Sequence, residues 1–235
     1  MIEYYVLSDE TQTSRIEVDL SLVEDAPDLE RSWLLWLFVK VSDPLDAEFI
    51  TFRDDLIQTL NTEIDAQYVG TIAKEGWCEL YFYASSSKKF ENLTSDVMGR
   101  HTSYPYERGS FRDTKWEMYQ ERLYPEPFTL ITIQSRHTLE ALVEAGDDVN
   151  QAREVEHYFF FQTPTALERF GALMENHGFS VKEKMNDDES DYSYGVTLAK
   201  IEPITDEQVE ETTSMLYESV LQEHGNYEGW STVLA

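Results

Sequence analysis

The first sixty residues predict three strands followed by a helix. Apolar and polar positions partly alternate in Tyr4–Leu7 and Ser14–Leu22, which is the pattern of half-buried strands. Trp33–Val41 is almost continuously apolar, as in a strand that is covered on both faces. Over 47–64 the apolar residues recur at three- and four-residue steps, which predicts one buried face of a helix.

A hairpin and a second helix are predicted to complete the first half. The segments 67–73 and 77–83 are rich in β-branched and aromatic residues, and a short connection containing Gly76 joins them. A helix is expected over 88–98, followed by an edge strand over 102–106. The first half is therefore interpreted as a mainly antiparallel sheet covered by helices.

The second half has a clearer order of elements. A short helix is predicted over 138–145, and then the order βαββαβ, which is the split arrangement of ferredoxin-like domains. Thr163 with Pro164 should begin one helix, and Thr205 with Gln208 forms a capping box for the last one. The predicted pieces are strand 155–161, a helix ending at Gly178, strands 179–184 and 192–201, a helix from Thr205 and strand 227–234.

The predicted fold class is α+β, with two ferredoxin-like α/β sandwich domains, each an antiparallel sheet with helices on one face. Two prolines interrupt the chain between Tyr124 and Phe128, and the composition changes there. We therefore expect a first domain over residues 1–125 and a second over residues 135–235.

Charge narrows the classes of partner. The chain has 46 Asp and Glu against 18 Lys and Arg, a formal net charge of −28 and a pI near 4.3. Such a field disfavours nucleic acids and anionic membranes and favours a basic protein partner, although acidity that serves only solubility remains an alternative. The region from Thr138 onward, with 21 acidic and 5 basic residues, is the more acidic part.

Few residues suggest chemistry. The single cysteine, Cys78, lies within a predicted strand, so we expect a buried thiol and no disulfide. The N-terminus lacks the features of a signal peptide and no apolar run approaches the roughly 20 residues of a membrane helix, so a cytoplasmic location is expected. The five histidines lack metal-type spacing, and neither a metal nor a cofactor is predicted.

A small set of residues remains as candidates for binding. His157 lies at the start of a strand, next to Glu154 and Glu156, but alternation places the two glutamates on the opposite face from the histidine. The acidic hairpin resembles a calcium loop in spacing but lacks its glycine and closing glutamate, so a solvated turn is favoured; it contributes Asp187, Asp188, Glu189 and Asp191. Trp230 is expected either to fill the core or to act as an exposed anchor beside Glu228.

The first half contains a stretch in which arginines and aromatic residues interleave. Arg100, Arg108 and Arg112 lie among tyrosines, Phe111 and Trp116. This mixture is compatible with stacking on single-stranded RNA, but acidic residues interrupt it. A charged surface that closes the first domain is therefore favoured.

Both halves resemble known families. The segments Leu139–Asp148, Glu156–His157 and Gly178–Phe179, and above all the terminal Tyr-x-Gly-Trp-x-Thr of Tyr227–Thr232, resemble the regulator of ribonuclease E activity B family over about residues 135–235. The first half resembles a family of unknown function that occurs fused to this regulator. The matching residues are Tyr68–Thr71, Glu79–Tyr83, Trp116-x-x-Tyr119 and Leu123–Pro125.

The resemblance implies an acidic, cytoplasmic, non-enzymatic protein that binds ribonuclease E, or a basic segment of a related complex, and thereby alters RNA degradation. The free-standing regulator carries a long acidic tail after the tryptophan motif, whereas the given sequence stops at Ala235, so no role of that tail is carried over to this protein. The alternative function is a small enzyme or ligand-binding protein with a site between the two domains.

Overall fold

The protein has two compact units, Met1–Pro125 and Glu126–Ala235. The computed structural model describes residues 1–8, 12–101, 104–187 and 190–234. Each unit contains one antiparallel sheet with helices packed on one face, so the fold is α+β and both units are ferredoxin-like sandwiches. The predicted fold class is confirmed.

The first unit extends a ferredoxin-like core by a hairpin. Its sheet has the order β1-β2-β4-β5-β3-β6, in which β3, β4, β5 and β6 form the βαββαβ core and the hairpin β1–β2 continues the sheet beside β4. The elements are β1 Ile2–Ser8, β2 Thr13–Asp19, β3 Trp33–Lys40, α1 Ala47–Ile64, β4 Gln67–Lys74, β5 Trp77–Ala84, α2 Phe90–His101 and β6 Tyr106–Arg112.

Helix α1 forms because a capping residue precedes a regular apolar stripe. The carboxylate of Asp46 accepts the backbone N–H of Glu48 at 2.9 Å, which satisfies one of the free donors at the helix start. The predicted apolar stripe packs against residues of β3 and β5. Four of its members, Phe49, Phe52, Leu56 and Leu60, are fully buried, and Ile64 at the end of the helix is partly buried. Burial of this stripe on the sheet fixes the orientation of the helix.

The opposite face of the first sheet is partly covered by a short helical segment, Met118–Leu123, with π-type hydrogen bonding. The hydroxyl of Tyr5 donates to the carbonyl of Leu123, and that of Tyr119 donates to the carbonyl of Asp19, both at 2.9 Å. Trp116 stacks on Tyr83 with ring centroids 4.1 Å apart. These contacts attach the hairpin β1–β2 to the rest of the unit.

The second unit has the sheet order β10-β7-β9-β8, which is the ferredoxin-like order of a βαββαβ chain. Its helices and sheet share one core that includes Phe159, Phe170, Val196 and Leu216. The elements are α3 Pro127–Glu144, β7 Arg153–Phe161, α4 Pro164–Glu175, β8 Ser180–Asn186, β9 Tyr194–Glu202, α5 Asp206–Gln222 and β10 Asn226–Thr232.

Two predicted elements were wrong in their extent. The helix predicted over 138–145 begins at Pro127, because a proline at the first helical position loses no hydrogen bond and starts the helix rather than breaking it. The edge strand predicted over 102–106 is instead Tyr106–Arg112, which lacks an alternating pattern and is held by pairing with β3. Thr102 and Ser103 lie outside the described residues.

Gly70 should be essential for the pairing of β2 with β4. A Cβ atom at this position would lie 2.3 Å from the backbone oxygen of Glu17, and a backbone atom cannot rotate away. We expect Gly70→Ala to destabilise the protein by about 2 kcal/mol or more. Gly99→Ala is the matched control, because Gly99 lies in α2 with no atom within 4 Å of the added methyl, and it should stabilise by up to about 1 kcal/mol. Urea unfolding of both variants measures the difference, and equal stabilities would contradict the prediction.

Candidate functional site

The last strand contains a bulge that turns two aromatic side chains toward the helices. Tyr227 pairs with Phe159 and Trp230 pairs with His157, so one extra residue lies between them on β10. Gly229 has a φ of 110°, a left-handed value that favours glycine. In a regular strand without a bulge, residues three apart point to opposite faces, so one of the two rings would point away from the helices.

Trp230 is partly buried between β10 and α3. Its ring packs against a small apolar cluster that includes Leu139 and Val155, and its Nε1 donates to the hydroxyl of Ser135 at 2.8 Å. The sequence left open whether Trp230 fills the core or is exposed. In the structure one part of the side chain contacts the core, and another part lines a recess at the surface. The tryptophan of the terminal motif is thus both a packing and a surface residue.

The recess beside this ring, which we call the tryptophan pocket, has a volume of about 330 Å³. Helix α3 and strand β10 form its walls, and Glu228, the extra residue of the bulge, is an exposed residue of its lining. The pocket therefore brings together two of the predicted binding residues, Glu228 and Trp230. Its lining consists of Ile131, Gln134, Ser135, His137, Thr138, Glu228, Gly229 and Trp230.

Sequence reasoning missed the residues that α3 contributes to the pocket. Gln134 and Thr138 are one helical turn apart, and the Thr138 hydroxyl donates to the Gln134 carbonyl at 3.0 Å. Their spacing was available in the sequence, but the helix was predicted to begin only at Thr138. Recognition of Pro127 as a helix start would have placed them on one face.

Helices α3 and α5 pack against each other and carry many exposed carboxylates. Thr205 caps α5 by accepting the N–H of Gln208 at 3.3 Å, as predicted. Acidic residues in the first turn are favoured by the helix dipole. The exposed acidic residues of the two helices include Glu140, Glu144, Asp206, Glu207, Glu210, Glu211 and Glu218.

His157 does not reach the surface. Its side chain is 2% exposed and faces the helices, whereas Glu154 and Glu156 lie on the opposite face, as alternation predicted. Its Nδ1 lies 2.8 Å from the hydroxyl of Tyr227, and its Nε2 has no hydrogen-bond partner among the described residues. Burial, with a smaller effect of Lys200, lowers the pKa of His157 to about 3, so the ring is neutral near pH 7.

The remaining predicted residues lie elsewhere in the second unit. Asp187 and Asp191 are exposed in the connection between β8 and β9, and the Asp187 backbone N–H donates to the Ser193 carbonyl at 2.8 Å. Asp188 and Glu189 lie outside the described residues. The predicted set is thus divided among the tryptophan pocket, the core and the hairpin.

The described residues offer neither an exposed thiol nor a cluster of metal-binding side chains. Cys78 is 1% exposed, and burial raises its pKa to about 12, so the thiol stays protonated near pH 7. No group of three or more His, Cys, Asp or Glu that could hold a metal ion is found within 1–8, 12–101, 104–187 and 190–234. Over the same ranges no helix is long and apolar enough to cross a membrane.

Burial of neutral His157 should make stability depend on pH. Because the folded-state pKa of about 3 lies below the ordinary 6.5, the unfolded chain binds a proton more readily between these values, and stability falls as the pH is lowered from 6.5 toward 3. The penalty at pH 5 should be about 2 kcal/mol. Urea unfolding at several pH values should show a smaller loss in His157→Gln. The exposed His177→Gln variant is the control and should keep the loss of the unmodified protein; identical pH dependence in all three would contradict the prediction.

Comparisons with known proteins match two separate family models to the two parts of the chain. Residues 4–124 match the model of a Family of unknown function (DUF695), and residues 132–232 match the model described as Regulator of ribonuclease activity B. No curated protein matches. Among solved structures, a crystal structure of an unknown protein from Galdieria sulphuraria is similar, with 10% identity, a TM-score of 0.26 and coverage of 87% of this chain and 100% of that chain.

Apart from Pro125, the matched segments contain the residues that carried both resemblances. The terminal motif with its bulge at Gly229 lies inside the second match, and Tyr68–Thr71 lies inside the first. The chain therefore belongs to the Family of unknown function (DUF695), whose model spans more than half of it, and joins that domain to one of the family Regulator of ribonuclease activity B.

Proposed function

We propose that the protein is a non-catalytic regulator that binds a ribonuclease of the ribonuclease E type in the cytoplasm and alters its degradation of RNA. The observation that carries the proposal is the match of residues 132–232 to Regulator of ribonuclease activity B. The mechanism is occupancy of a basic segment, either of the nuclease or of a protein in complex with it. No covalent step is involved.

The charge distribution supports this mechanism. Residues 126–235 contain 22 Asp and Glu against 6 Lys and Arg, and helices α3 and α5 expose much of this charge. Oriented negative charge accelerates association with a basic segment, whereas it repels the RNA substrate of the nuclease. The same surface therefore attracts the enzyme and not its substrate.

Binding and inhibition should be strongest at low ionic strength. We expect the full-length protein to co-elute with a purified ribonuclease E-type enzyme and to slow cleavage of a fluorescent RNA. Raising the ionic strength from about 0.01 M to about 0.15 M shortens the Debye length from roughly 30 Å to roughly 8 Å and should weaken both effects. If neither a complex nor a change in cleavage rate is found at the lower ionic strength, the proposal is wrong.

Two triple variants that each remove three negative charges can separate the effect of charge on α5 from the effect of net charge on the association rate. Replacing Glu207, Glu210 and Glu211 of α5 by Gln should slow association about tenfold at low salt. The control removes three exposed charges from the first unit through Glu63→Gln, Glu91→Gln and Asp96→Asn. Stopped-flow measurements compare the two, and equal slowing would show that only net charge matters and would contradict docking through α5.

A further inference from the structure

We infer that the tryptophan pocket is a receptor for one arginine side chain of the partner protein, an inference that rests on the proposed function. The volume of about 330 Å³ lies at the lower limit of small-molecule sites, which are roughly 300–1,000 Å³. A pocket of this size suits a single long side chain better than a cofactor.

The hydrogen-bonding groups of the pocket favour a cation over an anion. The indole N–H of Trp230 is already donated to Ser135, and the hydroxyl of Thr138 is already donated to the backbone of Gln134. Glu228 supplies an exposed carboxylate, and no lysine or arginine is found among the described lining residues. An anion would meet the negative charge of Glu228 here, whereas a guanidinium can donate two parallel hydrogen bonds to a carboxylate.

The aromatic ring distinguishes arginine from lysine. A guanidinium is planar and weakly hydrated, binds a carboxylate through two parallel hydrogen bonds and stacks on aromatic rings, and tryptophan is the best ring for cation–π attraction. Trp230 and Glu228 line the same pocket and are two residues apart, on either side of Gly229. The pair therefore offers a ring and a carboxylate to the same ligand group.

Gly229 lines the pocket between these two residues. A Cβ atom at this position would stand 3.6 Å from the side-chain oxygen of Gln134, on the opposite wall. The left-handed φ of 110° also strains any other residue at this position. The bulge thus shapes the pocket as well as directing the ring into it.

The negative charge of the second unit also favours a basic ligand over an acidic one. The second unit has a net charge of −16, from 22 acidic and 6 basic residues in 126–235. Long-range attraction of a basic segment does not define which of its residues is bound. A pocket for one arginine would determine which residue of the segment is bound, because a buried anchor contributes more binding energy than charges at the rim of an interface.

The test uses the full-length protein and three capped amino acids: N-acetyl-arginine N-methylamide and its lysine and citrulline counterparts. Citrulline has nearly the shape of arginine but no charge. The readout is the NMR signal of the Trp230 indole N–H, assigned by its loss in Trp230→Phe. The arginine compound should shift this signal with a dissociation constant on the order of 1 mM, the lysine compound should bind about tenfold more weakly, and the citrulline compound should cause no shift.

Glu228→Gln should weaken arginine binding about tenfold, since it removes the charge-assisted hydrogen bonds. Glu218→Gln makes the same change of charge on the exposed surface of α5 and should leave binding within twofold. Equal shifts from all three compounds, or an unchanged affinity in Glu228→Gln, would overturn the inference.

The same variants distinguish this inference from the proposed function. If the nuclease binds the unmodified protein and Glu228→Gln equally well and the arginine compound causes no shift, the pocket inference fails while the regulatory function stands. If the arginine compound binds as expected but no nuclease complex forms at low salt, the proposed function fails and the pocket serves another basic partner.

Discussion

In a regular strand, residues 227 and 230 would point to opposite faces of the sheet, and one of two large rings would leave the core. The bulge at Gly229 removes this conflict, and the arrangement of the second unit depends on it. Tyr227 joins the main core and lies 2.8 Å from His157, while Trp230 packs against the small cluster beside α3. The extra residue, Glu228, is exposed and lines the tryptophan pocket, so the bulge that packing requires also contributes an acidic residue to the pocket.

Burial keeps several ionisable groups of this protein neutral while its surface carries fixed negative charge. Burial raises the pKa of Cys78 to about 12 and lowers that of His157 to about 3. Burial, followed by the effect of Glu202, also raises the pKa of Tyr227. These neutral groups stabilise the interior, because an unpaired buried charge would cost several kcal/mol. Many charged carboxylates are exposed, where they cost the fold little, and the buried carboxylate of Asp147 is paired with Arg153 at 2.6 Å.

Strong periodicity and capping made much of the fold predictable. Helix α1 was predicted with its observed bounds, because its stripe is regular, and the order βαββαβ of the second unit followed from capping residues at Thr163 and Thr205. The bounds of helix α3 and strand β6 were harder to predict from the sequence. A proline can end a helix or begin one, so Pro127 did not reveal its role. Strand β6 depends on pairing with β3, whose paired residues lie 67 to 79 positions earlier, and no local pattern encodes this.

The predicted binding residues also differed in how far the sequence revealed their positions. Glu228 and Trp230 could be selected because charge and a motif marked them, and alternation placed His157 opposite its two glutamates. The bulge that brings Glu228 and Trp230 into one pocket could not be predicted, because it depends on the register between β10 and β7. His157 illustrates the converse, since its type suggests chemistry but its position in the core gives it a structural role.

An acidic surface and a pocket make different contributions to recognition. Dispersed carboxylates on α3 and α5 increase the rate of encounter with any basic segment, but long-range attraction alone does not select a register. A recess with one aromatic ring and one carboxylate accepts only a side chain that satisfies both, and its contribution appears in the lifetime of the complex. If both features serve one partner, salt should affect mainly association, whereas changes at Glu228 should affect mainly dissociation. This separation follows from the positions of the charges, because Glu228 stands at the pocket and the carboxylates of α5 do not line it.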